Sequence, residues 1–204
     1  LRPATGRSSN TRAAGARAAL SHTAALTGSD VVHDAAFAQH GVIRVEDYDE
    51  LLEPAQLLAY APNVREEGVA IVSHSGGVGS LTADKCGQMG LSLPPLGEAA
   101  QKRLGSVLKG FGWGANPADV TGYANSEAFP QIMEAMIAEP EVGTLVVASA
   151  GADSQAKQVI ELRDQTDTVV SFLWTGSITA TDGLNKLKEG RIPVFQSPER
   201  LARG

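Results

Sequence analysis

The sequence predicts an α/β fold with a doubly wound parallel sheet. Beyond about residue 67, short apolar runs rich in β-branched residues recur along the chain, which is typical of strands buried on both faces of a parallel sheet. Helix-like patterns separate these runs, and such alternation favours right-handed crossovers with helices on both faces. A chain of 204 residues, 43% hydrophobic and 20% charged, has ordinary globular composition and the length for one large domain.

The elements before residue 67 follow another pattern. Residues 1–28 are mainly small, polar or arginine residues around an alanine-rich centre. A helix is expected over 30–40, capped by Ser29-Asp30 and closed by Gly41, followed by a short strand at 42–45. The stretch "EDYDELLEPAQLLAYAP" predicts an amphipathic helix, either continuous or restarted at Pro54 and ended by Pro62. A domain boundary is therefore expected between residues 46 and 67.

The elements after residue 67 alternate regularly. The apolar runs predict strands at 68–72, 143–149, 168–174 and 192–196. The intervening patterns predict helices at 80–89, 97–109, 126–138, 153–164 and 179–189. We predict three segments: 1–45, the carboxyl-terminal part of one domain; 46–66, a helical linker; and 67–204, a doubly wound domain. In such sheets ligands bind beyond the carboxyl ends of the strands.

Composition excludes several classes of function. The net charge of −6 argues against nucleic acid, although the first 29 residues hold four arginines and no acid, which indicates an anionic ligand nearby. No apolar run approaches the roughly 20 residues that span a bilayer, so no membrane is expected. The single cysteine, Cys86, excludes an internal disulfide and a cysteine-rich zinc site. We expect no metal site and a reducing, cytoplasmic location.

The arginine-rich start also has the composition of a mitochondrial transit peptide. Arginines spaced by five residues advance about 140° each around a helix, so they form no basic face. The chain begins with Leu1, and we expect a processed protein or, in preference, a piece of a longer one.

The stretch "VAIVSHSGGVGSLTADKCGQM" runs from strand through a glycine-rich loop into a helix. Glycines there let a ligand approach the backbone, and the free N–H groups and dipole of the helix start favour an anion. The loop is not a dinucleotide fingerprint, because Thr82 stands where the third glycine is needed. It also lacks the Gly-Lys-Ser/Thr of a Walker loop and the first glycine of a hydrolase elbow. The alternative is a tight turn without a ligand.

Histidines supply the candidate nucleophile. His22 lies among small residues in "ALSHTAALTGS" and has a ring nitrogen available as nucleophile or base, with Ser21 and Thr23 as hydrogen-bond donors to a phosphoryl oxygen. The alternative is a surface or satisfied core histidine. His74, inside the glycine loop, either touches the ligand or packs. We expect His33 and His40 at the surface.

The loop "WGANPADVTGYA" contains turn-forming residues between two elements. Its Asn116 and Asp119 either cap neighbouring structure or line the same ligand site.

Four ordered blocks of sequence resemble one family. The stretches "GRSSNTRAAGARAALSHTAALTGSDVVHDAAFAQHGVIRVEDYDEL", "GVAIVSHSGGVGSLTADKCGQMGLSLPPL", "NPADVTG" and "GRIPVFQSPERLAR" resemble the NDP-forming acyl-CoA synthetases, relatives of succinyl-CoA synthetase and of ADP-forming acetate–CoA ligase. The resemblance covers essentially the whole chain. It implies a flavodoxin-like three-layer domain of succinyl-CoA synthetase type, preceded by the tail of a similar domain.

The resemblance also implies a travelling phosphoryl group. Acyl-CoA, phosphate and NDP interconvert with acid, CoA and NTP through a phosphohistidine, which falls on His22. The phosphate cradle falls on one helix start, formed by residues Ser75, Gly76, Gly77, Val78 and Gly79. The family glycine after Ser-His-Thr is Ala24 here, which adds a methyl group beside the phosphohistidine.

The resemblance also implies missing parts. The CoA-binding and ATP-grasp domains of the family are absent, so they are expected as partner domains or subunits of a homo- or hetero-oligomer. This chain is expected to hold no cofactor and to be inactive by itself. Mg-ATP or Mg-ADP, CoA and a small carboxylic acid are expected in the full-length enzyme.

Two alternatives belong to other functional classes. Some proteins of this architecture are fused to an acetyltransferase and act as protein lysine acetyltransferases, in which the synthetase-like part is a regulatory module. The presence of His22 favours catalysis over that role. The other alternative is a non-catalytic, flavodoxin-like ligand-binding domain.

Overall fold

The computed structural model of the chain describes residues 15, 17, 29–61, 68–108, 113–121, 127–151, 153–177 and 181–204. The chain divides into two compact units, Leu1–Glu46 and Asp47–Gly204. The predicted domain limits at residues 45 and 66 stay a prediction. No helix within the described ranges is long and apolar enough to cross a membrane.

In the first unit, α1 (Asp30–Gln39) is a regular helix, with Ser29 at its N-cap position and Gly41 in the left-handed region at φ 66° beyond its end. The predicted strand at 42–45 is wrong. These residues have no regular structure. Arg44 instead turns back to α1, where its guanidinium pairs with Asp30 at 2.5 Å and also with Asp34. Among the described residues of this unit there is no strand with which this segment could pair.

The second unit alternates helices and strands. Its described elements, in chain order, are α2 (Tyr48–Tyr60), β1 (Gly68–Ser73), α3 (Gly76–Gln88), α4 (Glu98–Leu108), β2 (Trp113–Gly114), β3 (Ala118–Asp119), α5 (Ala128–Ile137), β4 (Val142–Ser149), α6 (Asp153–Arg163), β5 (Val169–Trp174), α7 (Thr181–Glu189), β6 (Val194–Phe195) and α8 (Pro198–Arg203). Helix α2 continues through Pro54 without a break.

The strands form one sheet in the order β2-β3-β1-β4-β5-β6. Five of them are parallel, and only the edge pair β2 and β3 is antiparallel. This confirms the predicted doubly wound parallel sheet and the place of β1 near its centre. β1, β4 and β5 are buried almost throughout, which explains why their sequences are nearly uninterrupted apolar runs.

Helices cover both faces of the sheet and complete three layers. On one face α4, α5, α6 and α7 bury an apolar cluster whose largest members include Phe129 and Phe172. On the other face α3 and α8, with Leu57 of α2, enclose a smaller cluster around Ile71 and Phe195. This is the flavodoxin-like three-layer arrangement that the resemblance implies.

Charged side chains fix α2 on α8. Glu53 is 7% exposed and accepts hydrogen bonds from Arg200 Nε at 2.8 Å and from the backbone N–H of Gln196 at 3.1 Å. Glu50 pairs with Arg203 at 2.5 Å. The segment predicted as a linker therefore carries a helix that belongs to the second unit and is paired with α8.

Candidate functional site

The sheet changes its winding direction between β1 and β4. Helix α3, which follows β1, contributes Cys86 to one core cluster, whereas α6, which follows β4, contributes Val159 to the cluster on the opposite face. Connections that leave adjacent strands for opposite faces open a crevice at the carboxyl ends of those strands. Polar residues gather here: Ser73, His74 and Ser75 at the end of β1, Asp119 at the end of β3, and Ser149 at the end of β4.

The turn from β1 to α3 is short. The Ser73 hydroxyl donates to the carbonyl of Ser75 at 2.7 Å and accepts from the N–H of Ser75 at 3.1 Å. Ser75 then caps α3, since its Oγ accepts from the N–H of Val78 at 3.4 Å. Helix α3 consequently begins at Gly76, four residues before its predicted start. The glycines form the first helical turn and not a loop.

The first turn of α3 has free donors. The N–H groups of Ser75, Val78 and Gly79 are bonded to atoms of the turn. Within the described parts of the chain, the N–H groups of Gly76 and Gly77 have no hydrogen-bond partner. No acidic residue lies in the first turn of α3 itself. Two donors and the positive end of the helix dipole thus remain available to an anion.

The space around the three glycines differs. A Cβ added at Gly76 would lie 2.8 Å from Oδ2 of Asp119, and one added at Gly79 would lie 3.1 Å from Cβ of Ser73. A Cβ added at Gly77 would meet nothing nearer than Oγ of Ser75 at 4.0 Å. Gly79 therefore serves close packing of α3 on β1, and Gly77 is the open side of the helix start.

Asp119 places a carboxylate beside the helix start. Its Oδ1 accepts hydrogen bonds from the Thr121 hydroxyl at 2.6 Å and from the Thr121 N–H at 3.0 Å. This fixes the carboxylate, with Oδ2 towards Gly76. A doubly charged phosphoryl group is repelled on that side, which leaves the approach over Gly77 and Ser75.

His74 is held as a neutral imidazole. Its ring packs on Phe129, with ring centroids 4.9 Å apart, and Nε2 of Gln155 lies 3.4 Å from the ring nitrogens. The buried Ser149 hydroxyl donates to Oε1 of Gln155 at 2.6 Å, which turns the amide NH₂ of Gln155 towards the imidazole. Burial lowers the pKa of His74, and the charge of Asp119 opposes this with a smaller effect.

Asn116 has a structural role in the described chain. Its amide donates to the carbonyls of Val69 at 2.8 Å and Pro94 at 3.0 Å, and its oxygen accepts from the N–H of Ile71 at 3.0 Å. The bonds to Val69 and Ile71 satisfy backbone groups of β1 where the two-residue β3 does not reach. Of the two uses weighed for Asn116, the geometry favours support of neighbouring structure.

The remaining site residues divide as follows. His22, Ser21 and Thr23 lie outside the described residues. The side chain of Val78 packs against the core, so only its backbone faces the helix start. Sequence analysis missed Thr121, Ser149 and Gln155. The sequence did contain a signal for Ser149, because "VAIVS" and "VVAS" both end buried strands in serine at the same edge of the sheet.

A separate cavity of about 380 Å³, lined mainly by apolar residues, lies between the sheet and helices α2, α3 and α8. Cys86, Leu57 and Phe195 are among its lining residues. Burial raises the pKa of the Cys86 thiol to about 11, so this cysteine is unreactive near neutral pH. Among the described residues no group of three or more His, Cys, Asp or Glu is placed to hold a metal ion.

The comparisons with known sequences all find similarity to CoA ligases. A family model described as succinyl-CoA ligase like flavodoxin domain matches residues 7–58. The chain is 32% identical over 195 residues to the alpha subunit of acetate–CoA ligase (ADP-forming) I from Pyrococcus furiosus, with 91% of this chain aligned. It is 26% identical over 194 residues to 4-hydroxybutyrate–CoA ligase (ADP-forming) from Nitrosopumilus maritimus, with 93% aligned.

The fold also matches a solved structure. A dinucleotide forming acetyl-coenzyme A synthetase 1 from Ca. Korarchaeum cryptofilum, in complex with phosphate and ADP, superposes with a TM-score of 0.82 over 93% of this chain and 42% of that chain, at 24% identity. The chain spans 42% of the Pyrococcus furiosus subunit and 28% of the Nitrosopumilus maritimus ligase. It therefore corresponds to less than half the length of these relatives.

Proposed function

The chain belongs to the family of NDP-forming acyl-CoA synthetases, and we propose that it is the part of such a ligase that accepts and holds the travelling phosphoryl group. The observation that carries this proposal is the start of α3, where Gly76 and Gly77 present free N–H groups at the carboxyl end of β1. The relatives support the type of reaction, since they are ADP-forming CoA ligases.

The proposed reaction has three steps. A phosphate oxygen attacks the thioester carbon of acyl-CoA, the carbon–sulfur bond breaks, and the CoA thiolate takes a proton. A ring nitrogen of His22 then attacks the phosphorus of the acyl phosphate and releases the carboxylate. Finally a β-phosphate oxygen of ADP or GDP attacks the same phosphorus, the phosphorus–nitrogen bond breaks, and NTP forms. The reverse direction makes the thioester.

The described residues contribute electrostatic stabilisation. The N–H groups of Gly76 and Gly77 donate to phosphoryl oxygens, and the helix dipole favours the negative charge. Ser75 keeps the first turn in place as its cap. Neutral His74 adds no charge of its own, and Asp119 directs the phosphoryl group to the open side at Gly77. The phosphoryl group is thereby bound without a metal ligand from this part of the chain.

Phosphorylation of the complete ligase tests the proposal. With γ-labelled ATP and Mg²⁺, the ligase should form an acid-labile, base-stable phosphoprotein, as a phosphohistidine does. His22→Ala should abolish the label, whereas the matched control His40→Ala, an exposed histidine of the first unit, should retain it. The 204-residue chain alone should not label, because the nucleotide and CoA sites belong to the rest of the ligase. A label that survives His22→Ala refutes the phosphohistidine.

A further inference from the structure

Large apolar side chains that solvent reaches are concentrated in one stretch of the chain. Among the described residues, all of them except Leu81 and Leu91 lie between residues 31 and 60. On α2 the exposed ones are Tyr48, Leu51, Leu52, Leu58 and Tyr60, with 84%, 50%, 59%, 62% and 39% of their surface accessible. At 100° per residue the first four of them form a stripe about 120° wide, which is the width that a helix normally buries, and Tyr60 at the helix end lies outside this stripe.

The opposite side of α2 is already occupied. Glu50, Glu53 and Pro54 are buried, and the two glutamates pair with arginines of α8. Helix α2 is therefore held in a defined orientation on the second unit, and its apolar stripe faces outward. An exposed apolar stripe on a helix held in a fixed orientation indicates an interaction surface.

The family model indicates which partner this is. It matches residues 7–58 and so extends into α2, although the second compact unit begins at Asp47. By sequence α2 belongs to the succinyl-CoA ligase-like flavodoxin domain, and by packing it belongs to the second unit. A flavodoxin-type domain is a parallel sheet whose helices cover it with their apolar stripes. Between residues 29 and 58, however, the structure describes two helices and no strand.

We propose that the apolar stripe of α2 docks on the sheet-bearing part of the succinyl-CoA ligase-like flavodoxin domain, which lies outside the described residues. Helix α2 is then shared by two domains: its glutamate side is bound to α8 and its leucine side is bound to the flavodoxin domain. The inference rests on the family assignment and not on phosphoryl transfer, so the labelling experiment can fail without affecting it.

Thiol labelling tests the docking surface. Cys86 is fully buried, which leaves little background for a single introduced cysteine. Leu52→Cys is labelled with a maleimide in the 204-residue chain and in the complete ligase, where the flavodoxin domain is present. Lys157→Cys on α6, whose side chain is 77% exposed, is the control for general access of the reagent. Leu58→Cys repeats the measurement at the other end of the stripe.

We expect both stripe cysteines to react at least tenfold more slowly in the complete ligase than in the 204-residue chain, at any protein concentration. Equal rates in the two proteins overturn the proposal. Protection that disappears on dilution also overturns it, because the stripe is then covered by a second copy of the chain.

Discussion

At the scale of single residues, the candidate site depends on how three glycines differ. Gly76 faces the carboxylate of Asp119, Gly79 packs on Ser73, and only Gly77 opens to solvent. The sequence alone does not distinguish the roles of these three glycines, since all of them lie in one glycine-rich segment after a buried strand. What separates them is the position of Asp119, which comes from a strand about 40 residues later. Only the folded structure shows that contact.

Gly77→Val should weaken phosphate binding at least about tenfold, or ~1.4 kcal/mol. The branched side chain fills the one open approach to the free N–H groups of α3. Titration of phosphate into the 204-residue chain, followed by ³¹P NMR, measures the effect. The control is Gly87→Val, which makes the same change near the other end of α3, where an added Cβ meets nothing within 4 Å.

Both glycine variants should unfold within about 0.5 kcal/mol of the parent chain, since helix propensities of glycine and valine differ by little. Equal loss of phosphate affinity in the two variants would mean that the α3 start is not the site.

His74 should make folding stability depend on pH. Burial lowers its pKa in the folded state below the unfolded value of 6.5, so below pH 6.5 the unfolded chain binds a proton that the folded chain refuses. Stability therefore falls as pH drops below 6.5, until the folded-state pKa is reached. In His74→Gln that contribution is absent. Urea unfolding at pH 7.5 and 5.5 should show a smaller loss for the variant, and an identical loss in both proteins would contradict the assignment.

At the scale of elements, the sequence predicted β1, β4, β5 and the two-residue β6, but it missed β2 and β3. β1, β4 and β5 are buried on both faces, so burial alone determines their apolar runs. β2 and β3 have two residues each, and their position depends on hydrogen bonds made by Asn116, which no periodicity records. The start of α3 was predicted too late because glycine lowers helix propensity. In the structure the Ser75 cap and the packing of Gly79 on β1 determine where the helix begins. The six-residue α8 was too short to predict.

The pairing of α2 with α8 should contribute measurably to stability. Glu53→Ala removes the acceptor of Arg200 Nε and of the Gln196 N–H and should destabilise the chain by about 2–3 kcal/mol. The partly buried guanidinium is then left with the exposed Asp49 at 3.7 Å, and the Gln196 N–H loses its acceptor. Glu161→Ala removes the exposed pair with Lys157 at 3.8 Å and should cost less than about 0.5 kcal/mol. Urea midpoints compare the two, and equal shifts would refute a structural role for Glu53.

At the scale of the whole molecule, the chain combines one complete three-layer unit with a stretch whose apolar surface lacks a partner in the described residues. The similarity to ADP-forming CoA ligases could be predicted from ordered sequence blocks. Gln155 and Thr121 could not, because they reach the crevice from separate elements and each is an ordinary polar residue in its own segment. The site forms because β3, β1 and β4 are neighbours in the sheet, so their carboxyl ends lie side by side.

Residues 47–204 should fold without the first 46 residues. Among the described residues, both apolar core clusters consist of residues from Leu57 onward, so removal of the first unit takes away none of these core side chains. Thermal unfolding of the shortened chain, followed by circular dichroism, should give one cooperative transition close to that of the second unit in the parent. A shortened chain without a cooperative transition would show that the first unit is needed for folding.

The pairing of β1 with β4 has a consequence for synthesis on the ribosome. Val69 pairs with Thr144, about 75 residues later in the chain. At about 5–20 residues per second, β4 is made roughly 4–15 seconds after β1. Throughout that interval the nascent chain carries "VAIV" without its main neighbour, as an apolar strand with an open edge. We therefore expect slower translation over residues 73–142 to lower the yield of this fold when no holdase chaperone is present.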